Sequence, residues 1–159
     1  MNYLRRSTRG SPELMVDTNI VFSAILYPSG NAGWPLETAS NRQVPVVLVD
    51  YIEDELVKVL GKKGVSAGKV RDFLRTYPNI ERHDSKDVSL DEIEKVKTSV
   101  SDRKDRPLVA YALHRLNLGF DCLLVTGDKK LFVPTVRGML KGNIKTASEI
   151  LEMMHVECP

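Results

Sequence analysis

The chain has 159 residues, a length that suits one domain built around a single hydrophobic core. Hydrophobic residues make up 42% and charged residues 28%, which are ordinary values for a globular protein and exclude a largely disordered chain. The formal net charge of +2 is too small to indicate a general polyanion binder, so any bound nucleic acid would have to meet a local basic patch.

The two cysteines and the hydropathy pattern indicate a cytoplasmic protein. Cys122 lies in an apolar run and is expected in the core, whereas Cys158 lies next to the C-terminus, so the pair does not resemble a disulfide framework. No stretch reaches the roughly 18 consecutive apolar residues of a transmembrane helix. The N-terminus also lacks the apolar centre of a secretory signal.

The first twelve residues differ in kind from the rest of the chain. Arg5, Arg6 and Arg9 stand among small polar residues without any periodicity. We interpret residues 1–12 as a disordered basic arm or as a segment added to the natural chain, since exposed termini are usually mobile. Residues 13–155 are then expected to form a single domain.

In the first part of the chain, short apolar runs alternate with helical patterns. Leu14–Val16 predicts a strand that ends at Asp17, and apolar residues at helical spacing from Ile20 to Ile25 predict the helix that follows. A second helix is predicted from Trp34 to Asn41. The β-branched run Val46–Val49 predicts the next strand.

A capping box is predicted where the next helix begins. Asp50 is the expected cap, Glu53 completes the box three residues later, and Gly61 ends the helix. A polar helix over residues 67–76 and an edge strand over residues 80–83 are expected to follow.

The second half of the chain repeats the alternation. A charged helix is predicted over Leu90–Val100, a strongly periodic one over Leu108–Leu116, and a buried strand over Asp121–Val125. A short strand at Asn143–Lys145 precedes a final helix, for which Thr146 begins a capping box. Strands that alternate with helices predict an α/β fold with a mainly parallel sheet, and such sheets bind ligands beyond the carboxyl ends of their strands.

Four acidic residues fall where this sheet would expose them. Asp17 directly follows the first predicted strand, and Asp128 follows a later one within Thr126-Gly127-Asp128. Asp105 precedes the most periodic helix, and Glu55 lies early in the helix after the second strand. Carboxylates brought together repel one another, and a hard divalent cation relieves that repulsion. Such a cation can also ionise a bound water and stabilise the charge on a phosphate as a bond breaks, so the pattern favours a metal site.

Each acid also has a local explanation. Asp105 and Asp17 could cap helices, and Asp128 could be a turn residue. Helical projection leaves Glu55 and Glu53 equivalent, one at each margin of the buried stripe. Four separate local explanations for acids at one edge of the sheet are nevertheless less likely than a single metal site.

The chain resembles the PIN-domain family in four segments whose order and spacing match, within a likeness that runs from about Leu14 to Leu151. These segments are Met15–Ala24, Glu55–Leu60, Asp105–Ala112 and Leu124–Lys129. The resemblance implies an α/β/α sandwich with about five mainly parallel strands. It also implies a Mg²⁺- or Mn²⁺-dependent endoribonuclease that hydrolyses single-stranded RNA.

The resemblance further implies which residues form the site. The catalytic, metal-binding carboxylates would be Asp17, Glu55, Asp105 and Asp128. This assignment favours Glu55 over Glu53. Polar residues that orient the acids would be Thr18, Asn19 and Thr126.

Many relatives are toxins of toxin–antitoxin pairs, which implies a small antitoxin protein as partner. We also expect a homodimer, with Tyr27, Trp34 and Leu36 as candidates for its apolar contact surface. Lys129, Lys130 and Arg137 follow Asp128 and could bind RNA phosphates, although they could equally form a solvated face.

The sequence departs from the family pattern at three positions. Lys130 stands where relatives often have an acid, Val49 replaces a small hydroxyl residue, and Asp102 could substitute for Asp105. The alternative function is therefore a non-catalytic RNA- or protein-binding module that retains the fold. A phosphatase of the haloacid-dehalogenase type would need an aspartate where Asn19 stands.

Overall fold

The computed structural model describes residues 12–27 and 33–156, without the side chains of residues 33, 34, 155 and 156. Residues 1–11 of the predicted basic arm (residues 1–12) and Cys158 lie outside these residues. Within the described ranges, no helix is long and apolar enough to cross a membrane.

Five parallel strands form one sheet in the order β3-β2-β1-β4-β5. They are β1 (Glu13–Val16), β2 (Val46–Val49), β3 (Ile80–His83), β4 (Cys122–Val125) and β5 (Ile144–Lys145). Every residue of β1, β2 and β4 is buried, so both faces of the sheet are covered. The predicted α/β fold with a parallel five-stranded sheet is thereby confirmed.

Eight helices are present in the described residues. They are α1 (Thr18–Leu26), α2 (Gly33–Asn41), α3 (Asp50–Gly61), α4 (Ala67–Arg75), α5 (Leu90–Ser99), α6 (Arg106–Asn117), α7 (Pro134–Met139) and α8 (Ala147–Val156). The sequence analysis predicted all of them except the six-residue α7. Short 3₁₀ turns at Ser85–Asp87 and Lys129–Leu131 complete the chain trace.

The capping box predicted at Asp50 and Glu53 is wrong. Val49 occupies the N-cap position of α3 without a side-chain cap, and Asp50 accepts a hydrogen bond only from the adjacent Tyr51 N–H at 2.8 Å. The Glu53 carboxylate instead accepts from Arg82 Nε at 2.7 Å, because β3 brings that arginine alongside α3. The box predicted at Thr146 does form, with reciprocal bonds to Glu149.

The predicted apolar contact surface is also corrected. Leu36 is only 1% exposed, since α2 packs against α1 and α8 and turns this side chain into the core. Tyr27 is 64% exposed and remains on the surface. The side chain of Trp34 is outside the described residues. Cys122 is buried, as expected.

The register of the central strands places two predicted site segments side by side. Val16 of β1 pairs with Val125 of β4, so Asp17 and Thr126 leave the sheet at the same edge. The Asp17 N–H donates to the Val125 carbonyl at 3.0 Å and extends the pairing by one residue. The fold therefore presents Asp17 and the segment that contains Asp128 together beyond the carboxyl ends of the strands.

Candidate functional site

A cavity of about 620 Å³ opens at this carboxyl edge. Its walls come from the ends of β1 and β4, from α3, and from the loop between α5 and α6. The four carboxylates predicted as site residues all line it: Asp17, Glu55, Asp105 and Asp128. Four separate chain segments thus contribute one acid each to a single space.

Asp17 is anchored by two short hydrogen bonds. The Thr126 hydroxyl donates to Asp17 Oδ2 and the Thr18 N–H donates to Oδ1, both at 2.7 Å. Burial raises the pKa of Asp17 and the charges of Glu55 and Asp128 raise it further, which outweighs the lowering effect of these bonds. Asp17 therefore caps α1 and also belongs to a group of repelling charges.

The three polar residues predicted to orient the acids connect the site segments. Thr126 donates to Asp17 and accepts from the Asp128 N–H at 3.0 Å. Asn19 Oδ1 accepts from the Gly127 N–H at 3.2 Å, and the Thr18 hydroxyl donates to the Glu55 carboxylate. This network fixes the ends of β1 and β4 relative to each other.

Asp105 occupies the N-cap position of α6, yet its side chain accepts no capping hydrogen bond. Its Oδ2 atom is buried and has no hydrogen-bond partner among the described residues. Burial, followed by the charges of Asp128 and Asp102, raises the pKa of Asp105 to about 6. Helix capping does not explain this side chain.

The structure separates the two glutamates that helical projection left equivalent. Glu55 is exposed at the cavity and bonded to Thr18. Glu53 is not among the described residues that line the cavity, and it pairs with Arg82 and with Arg71, whose Nε lies 3.9 Å away. Geometry thus places Glu55 in the acidic group and Glu53 in a salt bridge.

Lys130 lies among the acids rather than apart from them. Its Nζ atom is 2.9 Å from Asp102 Oδ2 and 4.0 Å from Asp128 Oδ2. The hydrogen bond from Lys130 and one from the Lys104 N–H lower the pKa of Asp102. Asp102 also lines the cavity, but its carboxylate is paired with the Lys130 ammonium group. Asp105 Oδ2, in contrast, has no hydrogen-bond partner among the described residues.

The other two residues predicted to bind RNA lie away from these walls. Lys129 is exposed, and the Arg137 guanidinium lies over the Phe132 ring, 5.4 Å from its centre. Neither is among the described residues that line the cavity. Their contact with RNA stays a prediction.

Four polar lining residues were missed by the sequence analysis: Tyr51, Lys62, Lys63 and Lys104. The Tyr51 hydroxyl is buried without a partner among the described residues, and burial together with the charges of Asp17 and Glu55 raises its pKa. Tyr51 precedes Glu55 by one helical turn and Lys62 follows it by two. Projecting α3 around Glu55 could therefore have found both residues.

The donors of the cavity suit a hard divalent cation. Carboxylate and hydroxyl oxygens are the ligands that Mg²⁺ and Mn²⁺ prefer, and Asp105 Oδ2 is a buried acceptor that nothing described satisfies. Among the described residues, however, no three Asp, Glu, His or Cys side chains lie close enough together to hold an ion. A bound ion would need side-chain rearrangement within the cavity.

The fold and the cavity define an α/β protein with an acidic site at the edge of a parallel sheet. Residues 15–155 match the family model described as the PIN domain, so the chain belongs to the PIN-domain family. Proteins of this family are generally nucleases, and they generally use divalent metal ions.

Solved structures share the fold. The crystal structure of PAE2754 from Pyrobaculum aerophilum aligns with 91% of each chain, at a TM-score of 0.57 and 14% sequence identity. At this identity the likeness shows the fold alone. No curated protein matches the sequence.

Proposed function

We propose that this protein is an endoribonuclease that hydrolyses single-stranded RNA with Mg²⁺ or Mn²⁺. The observation that carries the proposal is that four carboxylates, from four chain segments, line one cavity, and that Asp105 Oδ2 is buried without a hydrogen-bond partner among the described residues. Burying like charges is costly, and a divalent cation is the simplest ligand that would offset the cost. Membership of a family of nucleases supports the same conclusion.

The proposed metal ligands are Asp17, Glu55, Asp105 and Asp128. A metal bound there would supply the positive charge that activates water and stabilises the phosphate. The chain's own contribution is positioning. Thr126 and Thr18 hold Asp17, and Thr18 also holds Glu55.

The proposal is tested with purified protein and single-stranded RNA. We expect cleavage with Mg²⁺ or Mn²⁺, its loss in excess chelator, and its return when metal is added back. Sequencing the products would identify the preferred cleavage sites. Cleavage that persists undiminished in excess chelator contradicts the mechanism.

The alternative is a non-catalytic RNA- or protein-binding module with the PIN fold. It predicts binding without cleavage under every metal condition of the same assay. The assembled acids favour catalysis over this alternative, because a binding module has no need to bury carboxylates beside one another. The antitoxin partner and the homodimer stay predictions.

A further inference from the structure

Three lysines at the rim of the cavity have no acidic partner. Lys62, Lys63 and Lys104 are exposed and line the cavity, and none forms an ion pair with another described residue. Lys130, in contrast, is held by Asp102 at 2.9 Å. The three rim lysines are therefore available to an anionic ligand.

These lysines come from two of the chain segments that line the cavity. Lys62 and Lys63 follow the last turn of α3, and at about 1.5 Å per residue Lys62 lies roughly 10 Å along the helix from Glu55. Lys104 belongs to the loop before α6 and directly precedes Asp105. An extended anionic chain that passes over the acids can meet lysines from both segments.

The charge of the cavity suits a polyanion once a metal is bound. The lining residues include five carboxylates and four lysines, which leaves one net negative charge. A single divalent cation would change this to one net positive charge. The residues that line the cavity also include Phe22, Val59 and Leu108. Their apolar groups suit the ribose and base faces of a single strand better than a bare phosphate.

We propose that Lys62, Lys63 and Lys104 bind the phosphates that flank the one to be cleaved, and so hold single-stranded RNA across the acidic cavity. The inference rests on the proposed function and adds the residues that position its substrate. For Lys62 and Lys63 there is a second, local explanation. Lys62 and Lys63 also lie at the C-terminal end of α3, where cations stabilise the helix dipole.

The test compares two triple variants of equal charge. The first is Lys62→Gln, Lys63→Gln and Lys104→Gln. The control is Lys58→Gln, Lys69→Gln and Lys95→Gln, three exposed lysines of α3, α4 and α5 that neither line the cavity nor pair with a described acid. Fluorescence anisotropy measures binding of a labelled single-stranded oligoribonucleotide at several salt concentrations, with Ca²⁺ as the cation and RNA integrity checked on a gel.

We expect the rim variant to bind more weakly, with a slope of log affinity against log salt that is shallower by about 2, since each lost phosphate contact contributes about 0.7. The control should keep the slope of the unmodified protein.

Equal slopes for the rim variant and the control overturn the inference. A lower melting temperature of the rim variant with an unchanged slope also overturns it and assigns Lys62 and Lys63 to the helix end. Lysine-dependent binding without cleavage in any metal supports the inference while removing the proposed nuclease activity. The two proposals can thus fail separately.

Discussion

Asp17 shows how one side chain can serve both the fold and the site. It accepts the Thr18 N–H in the manner of a helix cap, yet burial and the charges of Glu55 and Asp128 raise its pKa. A cap stabilises the protein, whereas a repelled carboxylate destabilises the metal-free state. Stability and activity measured together distinguish which role dominates.

Replacing Asp17 with Asn removes one charge at nearly constant shape. We expect the metal-free variant to melt at or above the temperature of the unmodified protein, because repulsion in the cavity is relieved. Its cleavage rate should fall by more than roughly 10- to 100-fold, which is the loss typical of replacing a residue that only hydrogen-bonds to a metal ligand. Asp54→Asn, an exposed acid of the same size on α3, is the control and should change neither quantity.

Thermal unfolding and RNA cleavage, measured on the same preparations, check this prediction. A variant that loses about 1 kcal/mol of stability but keeps its activity would show that Asp17 acts only as a cap.

Asp105 predicts a pH dependence with a definite sign. Its pKa is about 6 in the folded protein against an ordinary value of 3.8, so the folded state favours the protonated form. The metal-free protein should therefore lose stability as the pH rises from about 4 to about 6 and lose no more from this group above that range. The stabilising contribution of Asp105 is complete only below the pKa that this group has in the unfolded chain.

Urea unfolding across this pH range, in chelator, measures the effect as a difference between proteins. The gap in unfolding free energy between the unmodified protein and Asp105→Asn should open between pH 4 and 6 in favour of the variant. Asp54→Asn serves again as the control. A gap that stays constant with pH would mean that the pKa of Asp105 is not raised in the folded state.

The Lys130–Asp102 ion pair connects two structural elements, the 3₁₀ turn after β4 and the loop before α6. The ammonium also lies near Asp128, so it competes with any metal for the same acids. Replacing Lys130 with Met should make Mg²⁺ or Mn²⁺ bind several-fold more tightly. It should also make the metal-free protein less stable.

Melting temperatures across a metal titration give the affinity. Lys129→Met is the matched control, since Lys129 is exposed in the same turn and lies away from the cavity walls described. If both variants bind metal as the unmodified protein does, Lys130 is not a competing cation.

At the other end of the sheet, β1 is joined to α6 by a buried ion pair. Arg115 donates from Nε and Nη2 to the two carboxylate oxygens of Glu13, each at 2.8 Å. Replacing Arg115 with Met leaves a buried, unpaired carboxylate and should cost about 3–5 kcal/mol of stability. Cleavage per folded molecule should be unchanged, because Glu13 begins β1 and the cavity lies beyond its end.

Denaturant unfolding measures the loss. The double variant Glu13→Leu with Arg115→Met should recover most of it, since no charge is then left without a partner. A double variant as unstable as the single one would mean that Arg115 stabilises through its packing on Phe120, 3.8 Å from the ring centre, rather than through its charge.

Across the whole molecule, the sequence predicted those features that local pattern determines. Buried β-branched runs and helical stripes were sufficient for the strands and the long helices. Helix α7 was missed because its six residues, which include Pro134 and Gly138, show no apolar period. The capping box at Glu53 failed because Arg82, which captures that carboxylate, lies 29 residues away in sequence.

The same limit applies to the site. Acids that follow strands could be grouped from the sequence, since parallel strands end at a common edge. Lys104 could not, because its position at the cavity depends on how α3 and the α5–α6 loop pack together. The role of Lys130 likewise required the distance to Asp102, a residue 28 positions earlier in the chain.

The pairing of β1 with β4 has a consequence for synthesis on the ribosome. Asp17 receives its hydrogen bond from Thr126, 109 residues later in the chain, so the central strand lacks one neighbour until most of the protein has been translated. Closing so long a loop is slow, and until then one edge of β1 is open to pairing with other chains. A nascent chain that ends before β4 therefore has neither a complete sheet nor a complete set of acids. The proposed hydrolytic activity thus requires translation of the last third of the polypeptide.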